Sequence, residues 1–227
     1  MDVADAADPR VRSGRTRSKR TRSALLAAAG RAFADRGWLG ARIEDIARDA
    51  GVSAATAFNH FSTKHCLIGH VYGPLTRPAL EAAAVELADG RPILEVLERH
   101  VRELAQLTRR HQSLTVAFVG AAEEYAARVG GPPSPGDAND PRVLAPMPDV
   151  LVRAIAAGQE NEVLRPYPPA LDIGRNVINL LLVRTMTTPR ESAEDTAELM
   201  LTVLFGTLHP QTLVDAGLRG RPFARSR

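Results

Sequence analysis

The sequence predicts an all-α protein, and three observations carry that expectation. Ala and Leu dominate while aromatic residues make up only 4%, a mixture that favours helices over sheets. Apolar residues recur at spacings of three and four from Ser23 to about residue 208. No stretch alternates apolar and polar side chains as a half-buried strand would.

The elements follow in order. Residues 1–20 read as a basic arm, and 1–18 lack apolar periodicity, so the arm is expected to be disordered when free. From Ser23, the positions Leu25, Leu26, Ala29 and Phe33 predict a helix that stops at Gly37. Gly30 weakens it by roughly 1 kcal/mol relative to alanine, unless something packs closely there. Ile43, Ile46 and Ala47 predict a second helix over 43–50, ended by Gly51. Ser53 can cap a short third helix over 54–60, because its hydroxyl satisfies an otherwise free N–H. Beyond these, helices are expected at 64–74, at 78–88 between Pro78 and Gly90, from Pro92 past Leu104, and at 112–128. GPPSPGDANDP (131–141) reads as a loop. Helices at 147–159, 169–187 and 192–208 complete the chain, the last opened by Ser192 with Asp195 three residues on. A tail, 209–227, follows.

Composition limits the function classes. One cysteine, Cys66, rules out a disulfide framework. No apolar run approaches the ~18 residues of a membrane span, and the apolar segment near the N-terminus is broken by Arg31, Asp35 and Arg36, unlike an export signal; a cytoplasmic protein is expected. Enzyme motifs are missing: there is no nucleophile elbow, no HExxH and no phosphate loop, and Glu123-Glu124 point in different directions on a helix. No enzyme and no cofactor are expected. Cys66 and His70 share a helix face at ligand spacing, but His65 points about 100° away, so a buried thiol is the better reading than a metal site.

Charge points to one end of the chain. Residues 1–65 hold twelve Lys and Arg against seven Asp and Glu, a net of +5, whereas the rest carries −2. A basic end on a near-neutral body suggests a polyanion partner. The same end holds two short helices joined by a glycine turn, DIARDAGVSAATAFNH (45–60), which is the outline of a helix-turn-helix. The second helix of such a unit fits the major groove, which is about 12 Å wide.

Leu25 to Lys64 resembles the DNA-binding domain of the TetR family of bacterial transcriptional regulators. Phe33, Gly37 and Trp38 match its first-helix pattern; Ile43, Ile46, Ala47, Ala50, Gly51, Val52 and Ser53 its second; Thr56, Phe58, His60, Phe61 and Lys64 its third. The resemblance implies a three-helix helix-turn-helix domain at 21–65 and a helical ligand-binding and dimerisation domain at 66–208. It places Ser53 as the cap of the recognition helix, Ala54, Ala55 and Asn59 at base contacts, and Thr56, His60 and Lys64 at phosphate contacts. Three positions depart from the pattern. Ala55 stands where glycine is usual, Phe58 where tyrosine is usual, and Arg42 where a hydroxyl residue precedes the second helix; Arg42 could reach a phosphate instead.

For the body, the resemblance implies an apolar effector cavity and a dimer built from the last two long helices. The residues support the dimer independently: RNVINLLLVRTM (175–186) is apolar around most of its circumference, and such a helix is buried on more than one side. Asn176 and Asn179 interrupt it, at a rim, across a dimer or toward a cavity. Val101, His111, Phe118 and Tyr125 are the candidate effector positions, suited to an apolar or aromatic molecule. The expected protein is therefore a homodimeric, ligand-released repressor on an inverted-repeat operator in double-stranded DNA. Ala55, Phe58 and the modest charge keep a second reading open, an architectural or protein-interaction dimer that holds DNA without reading its sequence.

Overall fold

A computed structural model describes residues 9–208, with side chains from Gly14 onward; the expected tail at 209–227 and the first eight residues of the arm lie outside the described residues. The described residues form helices α1 (Pro9–Gly40), α2 (Ile43–Asp49), α3 (Ala54–His60), α4 (Lys64–Ala88), α5 (Ile93–Arg110), α6 (Gln112–Val129), α7 (Pro141–Leu144), α8 (Pro148–Glu160), α9 (Ala170–Thr187) and α10 (Ala193–Leu208), with no strand among them.

Three expectations change. Residues 9–20, expected to be disordered when free, are helical and continuous with α1. The helices expected at 64–74 and 78–88 are one, α4. Pro74 and Pro78 each remove one backbone bond, yet proline's fixed φ near −65° is itself helical, so flanking turns can carry the helix through. Finally, the loop at 131–141 ends in the short helix α7, capped by Asp140, whose carboxylate accepts from the Arg142 N–H at 2.8 Å.

The chain divides into two compact units. One comprises the chain up to Leu75 with Ser113–Ala145; the other comprises Thr76–Gln112 with the chain from Pro146 onward. Thus α6 and the loop after it, expected in the regulatory domain, pack in the unit that holds the helix-turn-helix.

In the first unit α1 packs on α2 and α2 on α3. Gly37 breaks α1 at φ 66°, ψ −173°, a conformation open to glycine alone, and the chain then turns Trp38 into the core. Leu25, Phe33, Ile46, Ala57 and Phe61 are buried with it. A Cβ on Gly30 would lie 3.8 Å from Val71, an ordinary contact, so no close approach requires that glycine. Gly73 is different: a Cβ there would meet the Leu144 carbonyl oxygen at 2.5 Å, so α4 needs glycine to admit the end of α7. Tyr72, fully buried, stacks on Phe118 at 4.4 Å and shares a 2.9 Å hydrogen bond with Thr115.

In the second unit α5 packs against α8, α9 and α10, α8 against α9, and α9 against α10. Ala83, Val96 and Val150 join α4, α5 and α8. Arg109 binds the turn between α9 and α10: it donates to the Thr188 carbonyl at 2.6 Å, to Thr196 and to Glu191 at 2.8 Å. Ser192 caps α10 as expected, accepting from the Asp195 N–H at 3.0 Å.

Candidate nucleic-acid interface

The turn between α2 and α3 is closed locally. Gly51 adopts φ +72°, and the Val52 N–H donates to the Ala47 carbonyl at 2.9 Å. Ser53 is the N-cap of α3: its Oγ accepts from the Thr56 N–H at 3.2 Å and lies 2.9 Å from the Thr56 hydroxyl. A Ser hydroxyl at this position satisfies one of the free N–H groups of the first turn.

α3 buries one of its seven residues, Ala57, 2% exposed. At 100° per residue, Ala55 and Asn59 form the outward line opposite Ala57, with Phe58 on one flank and Thr56 on the other. The structure exposes Ala55, Phe58 and Asn59 and half-buries Ala54, Thr56 and His60. These predicted residues are therefore brought together on one presented helix. Ser53 and Arg42 are exposed at the starts of α3 and α2.

Nearby charge is arranged in favour of an anion. Two of the three acidic residues of α2 are paired: Arg36 lies 3.5 Å from Asp45 and 3.7 Å from Asp49, and Arg48 lies 3.0 Å from Asp45, while Glu44 is exposed. Arg15, Arg17, Lys19 and Arg20 are exposed along α1, with no acidic residue between Gly14 and Ala34.

Lys64, a phosphate contact in the resemblance, is engaged within the protein. Its Nζ donates to the carbonyls of Trp38 at 2.5 Å and Ala41 at 2.9 Å and sits 4.0 Å over the Trp38 ring. Burial draws its pKa down, against an opposing pull from Glu124. The ammonium thus holds together the turn between α1 and α2 from the first residue of α4.

Two residues the sequence reading missed complete this unit. Arg22 donates to the His60 carbonyl at 3.2 Å and lies 4.2 Å over the Phe61 ring, tying α1 to the end of α3. Glu124 accepts from Trp38 Nε1 at 2.7 Å and lies 3.4 Å from His65 Nε2. The signal for Arg22 was its place at the end of the basic run; none existed for Glu124, 86 residues from its partner. His65 is packed between Trp38 and Tyr125, ring centroids 4.7 and 5.2 Å away. Burial pushes the His65 pKa down, and Glu124 pulls the other way. Cys66 is buried, and burial pushes its thiol pKa up. Among the described residues no cluster of His, Cys, Asp and Glu could hold a metal ion, and no helix is long and apolar enough to cross a membrane.

The four candidate effector positions divide. Val101 is buried on α5 and His111 caps its end, both in the second unit. Phe118 and Tyr125 lie on α6 in the first, Phe118 stacked on Tyr72 and Tyr125 donating its hydroxyl to Asp137.

Residues 25–71 match the model of the bacterial regulatory proteins of the tetR family. No curated protein matches the chain significantly. Among solved structures, Thermus thermophilus FadR, a TetR-family transcriptional repressor in complex with lauroyl-CoA, is 25% identical, with a TM-score of 0.63 over 90% of this chain and 100% of that one. The fatty acid degradation regulator FadR from Bacillus halodurans is 14% identical, with a TM-score of 0.63 over 88% and 97%. A TetR-family regulator from Marinobacter aquaeolei VT8 is 22% identical, with a TM-score of 0.57 over 86% and 98%. Residues 25–71 thus carry a helix-turn-helix of the tetR family, and the chain shares the fold of TetR-family transcriptional regulators along most of its length.

Proposed function

We propose that the chain is a repressor that binds an inverted-repeat operator as a homodimer and leaves it when an apolar effector binds. The observation that carries this reading is the outward line of α3, Ala55 and Asn59 opposite buried Ala57, on a helix capped by Ser53. A helix so presented can enter the major groove with its side chains against base edges, while Arg42, His60 and the α1 cations meet phosphates.

The dimer rests on α9. Leu180, Val183 and Met186 are 36–40% exposed and share one face with exposed Asn176 and Asn179. The face continues onto α10 through half-buried Leu199 and Val203. A second copy would cover these side chains and give the two recognition helices the twofold relation an inverted repeat requires. A cytoplasmic location follows from the same role.

The effector class rests on the Thermus thermophilus relative, whose lauroyl-CoA carries a long apolar chain. Val101, His111, Phe118 and Tyr125 stand as the positions to vary. Release by ~100-fold needs about 2.7 kcal/mol of differential affinity between the two states.

Selection of bound fragments from a random DNA pool at ~0.15 M salt tests the reading. An enriched inverted repeat bound ~10³-fold more tightly than scrambled DNA supports it, and Asn59→Ala should then lose most of that ratio. Equal, steeply salt-dependent binding to all sequences would favour the architectural alternative.

A further inference from the structure

The front of α3 carries more carbon than hydrogen-bonding capacity. Ala55 and Asn59 lie one turn apart on the outward line, and the Phe58 ring beside them is 46% exposed. On the other flank the Thr56 hydroxyl and the Ser53 hydroxyl engage each other at 2.9 Å, and Ser53 also accepts the Thr56 N–H. The Asn59 side chain makes no hydrogen bond among the described residues, so its carboxamide is the group on this front left to pair with a base.

Resting on the reading of α3 as a recognition helix, we infer that this chain reads thymine: the Ala55 methyl and the Phe58 ring meet thymine 5-methyl groups in the major groove, and Asn59 pairs with an adjacent adenine. The major groove presents one apolar group, the thymine methyl, and carbon side chains such as alanine and phenylalanine are its natural complement. Asparagine is the bidentate partner of adenine N6 and N7. Against a G·C pair the Ala55 methyl and the Phe58 ring would cover the cytosine amino group or the guanine acceptors without returning a hydrogen bond, so those two side chains disfavour such pairs. The two departures from the tetR-family pattern, Ala55 and Phe58, then act together: Ala55 adds a methyl where glycine has none, and Phe58 lacks the hydroxyl that tyrosine would carry.

The occupant is DNA on charge grounds. Asp45 and Asp49 of α2 are paired with Arg36 and Arg48, leaving Glu44 as its one exposed unpaired carboxylate among the described residues, and the exposed α1 segment of the same unit carries Arg15, Arg17, Lys19 and Arg20.

The test uses the full chain and the duplex enriched from a random pool, with thymines replaced one at a time by deoxyuridine, which removes the 5-methyl group and keeps the base pair. At contacted positions each lost methyl should weaken binding about 4-fold, and the symmetric pair in two half-sites about 15-fold. Phe58→Ala should weaken binding to the thymine duplex and erase the difference between thymine and deoxyuridine at its position; Ala55→Gly should do the same at another. If every deoxyuridine duplex binds as tightly as its parent while scrambled DNA stays weak, sequence reading stands and thymine reading is overturned. If no sequence is enriched, both fall. If Phe58→Ala instead abolishes self-association and leaves the thymine dependence intact, the ring belongs to a protein contact and the inference is overturned for it.

Discussion

Trp38 Nε1 donates to Glu124 Oε2 at 2.7 Å, joining the end of α1 to α6. The indole is almost fully buried and the carboxylate is about half exposed. Water screens such a bond, so Glu124→Leu should cost about 1 kcal/mol in urea unfolding rather than the larger value of a buried charged pair. Glu124→Gln keeps an acceptor oxygen and should recover most of it. Equal losses in the two variants would show that packing, not the hydrogen bond, is at work.

Lys64 supplies a second case. Lys64→Met keeps an unbranched apolar side chain but removes the ammonium over the Trp38 ring and leaves the Trp38 and Ala41 carbonyls without their donor. The expected result is a loss of about 1–3 kcal/mol of stability with little change in the salt dependence of DNA binding. A salt slope lower by about one, with stability unchanged, would return Lys64 to the phosphate role the resemblance implies.

His100 gives the protein an acid-sensitive core. It is 1% exposed on α5, and burial pushes its pKa down to about 4, a pull the Ala79 backbone offsets only in part. Above the ordinary value of 6.5 both folded and unfolded states hold it neutral. Between 6.5 and about 4 the unfolded chain binds a proton that the folded chain refuses, so stability falls with falling pH, by at most about 1.4 kcal/mol per unit and about 3 kcal/mol in all. Burial shifts His65 in the same direction. Denaturant unfolding at pH 7.5, 6 and 5 should show this decline, and His100→Phe should flatten it. An unchanged slope in the variant would exonerate His100.

The exposed face of α9 predicts a change of assembly. Val183→Lys or Leu180→Lys places a charge among the half-exposed apolar side chains of that face. In a dimer closed there, the substitution should raise the dissociation constant by about 100-fold or more, with the helical content unchanged. Sedimentation velocity reads this directly, and an undisturbed dimer would move the interface elsewhere.

How far the sequence reached depends on the range of the interactions involved. The helix-turn-helix was legible almost to the residue, with α2 ending at Asp49, a left-handed Gly51 and Ser53 capping α3. Each of those features is decided within four residues, by backbone hydrogen bonds and by which side chains tolerate a given φ. The continuity of α4 was not legible, because proline is a local stop signal that can be overridden when the residues on either side remain helical.

By itself, then, the sequence determined the helical class, the bounds of α2 and α3 and the Ser53 cap, because periodicity and capping are local properties of the chain. Only the tertiary structure decided where the Lys64 ammonium points, that Arg22 ties α1 to α3, and that Glu124 on α6 meets Trp38. Periodicity likewise says that Phe118 and Tyr125 face inward, but the fold alone sets Tyr72 against the one and His65 against the other. The reason is common to all of them: a helix pattern specifies which face is buried, whereas the partner on the other side comes from a distant part of the chain and is chosen by packing.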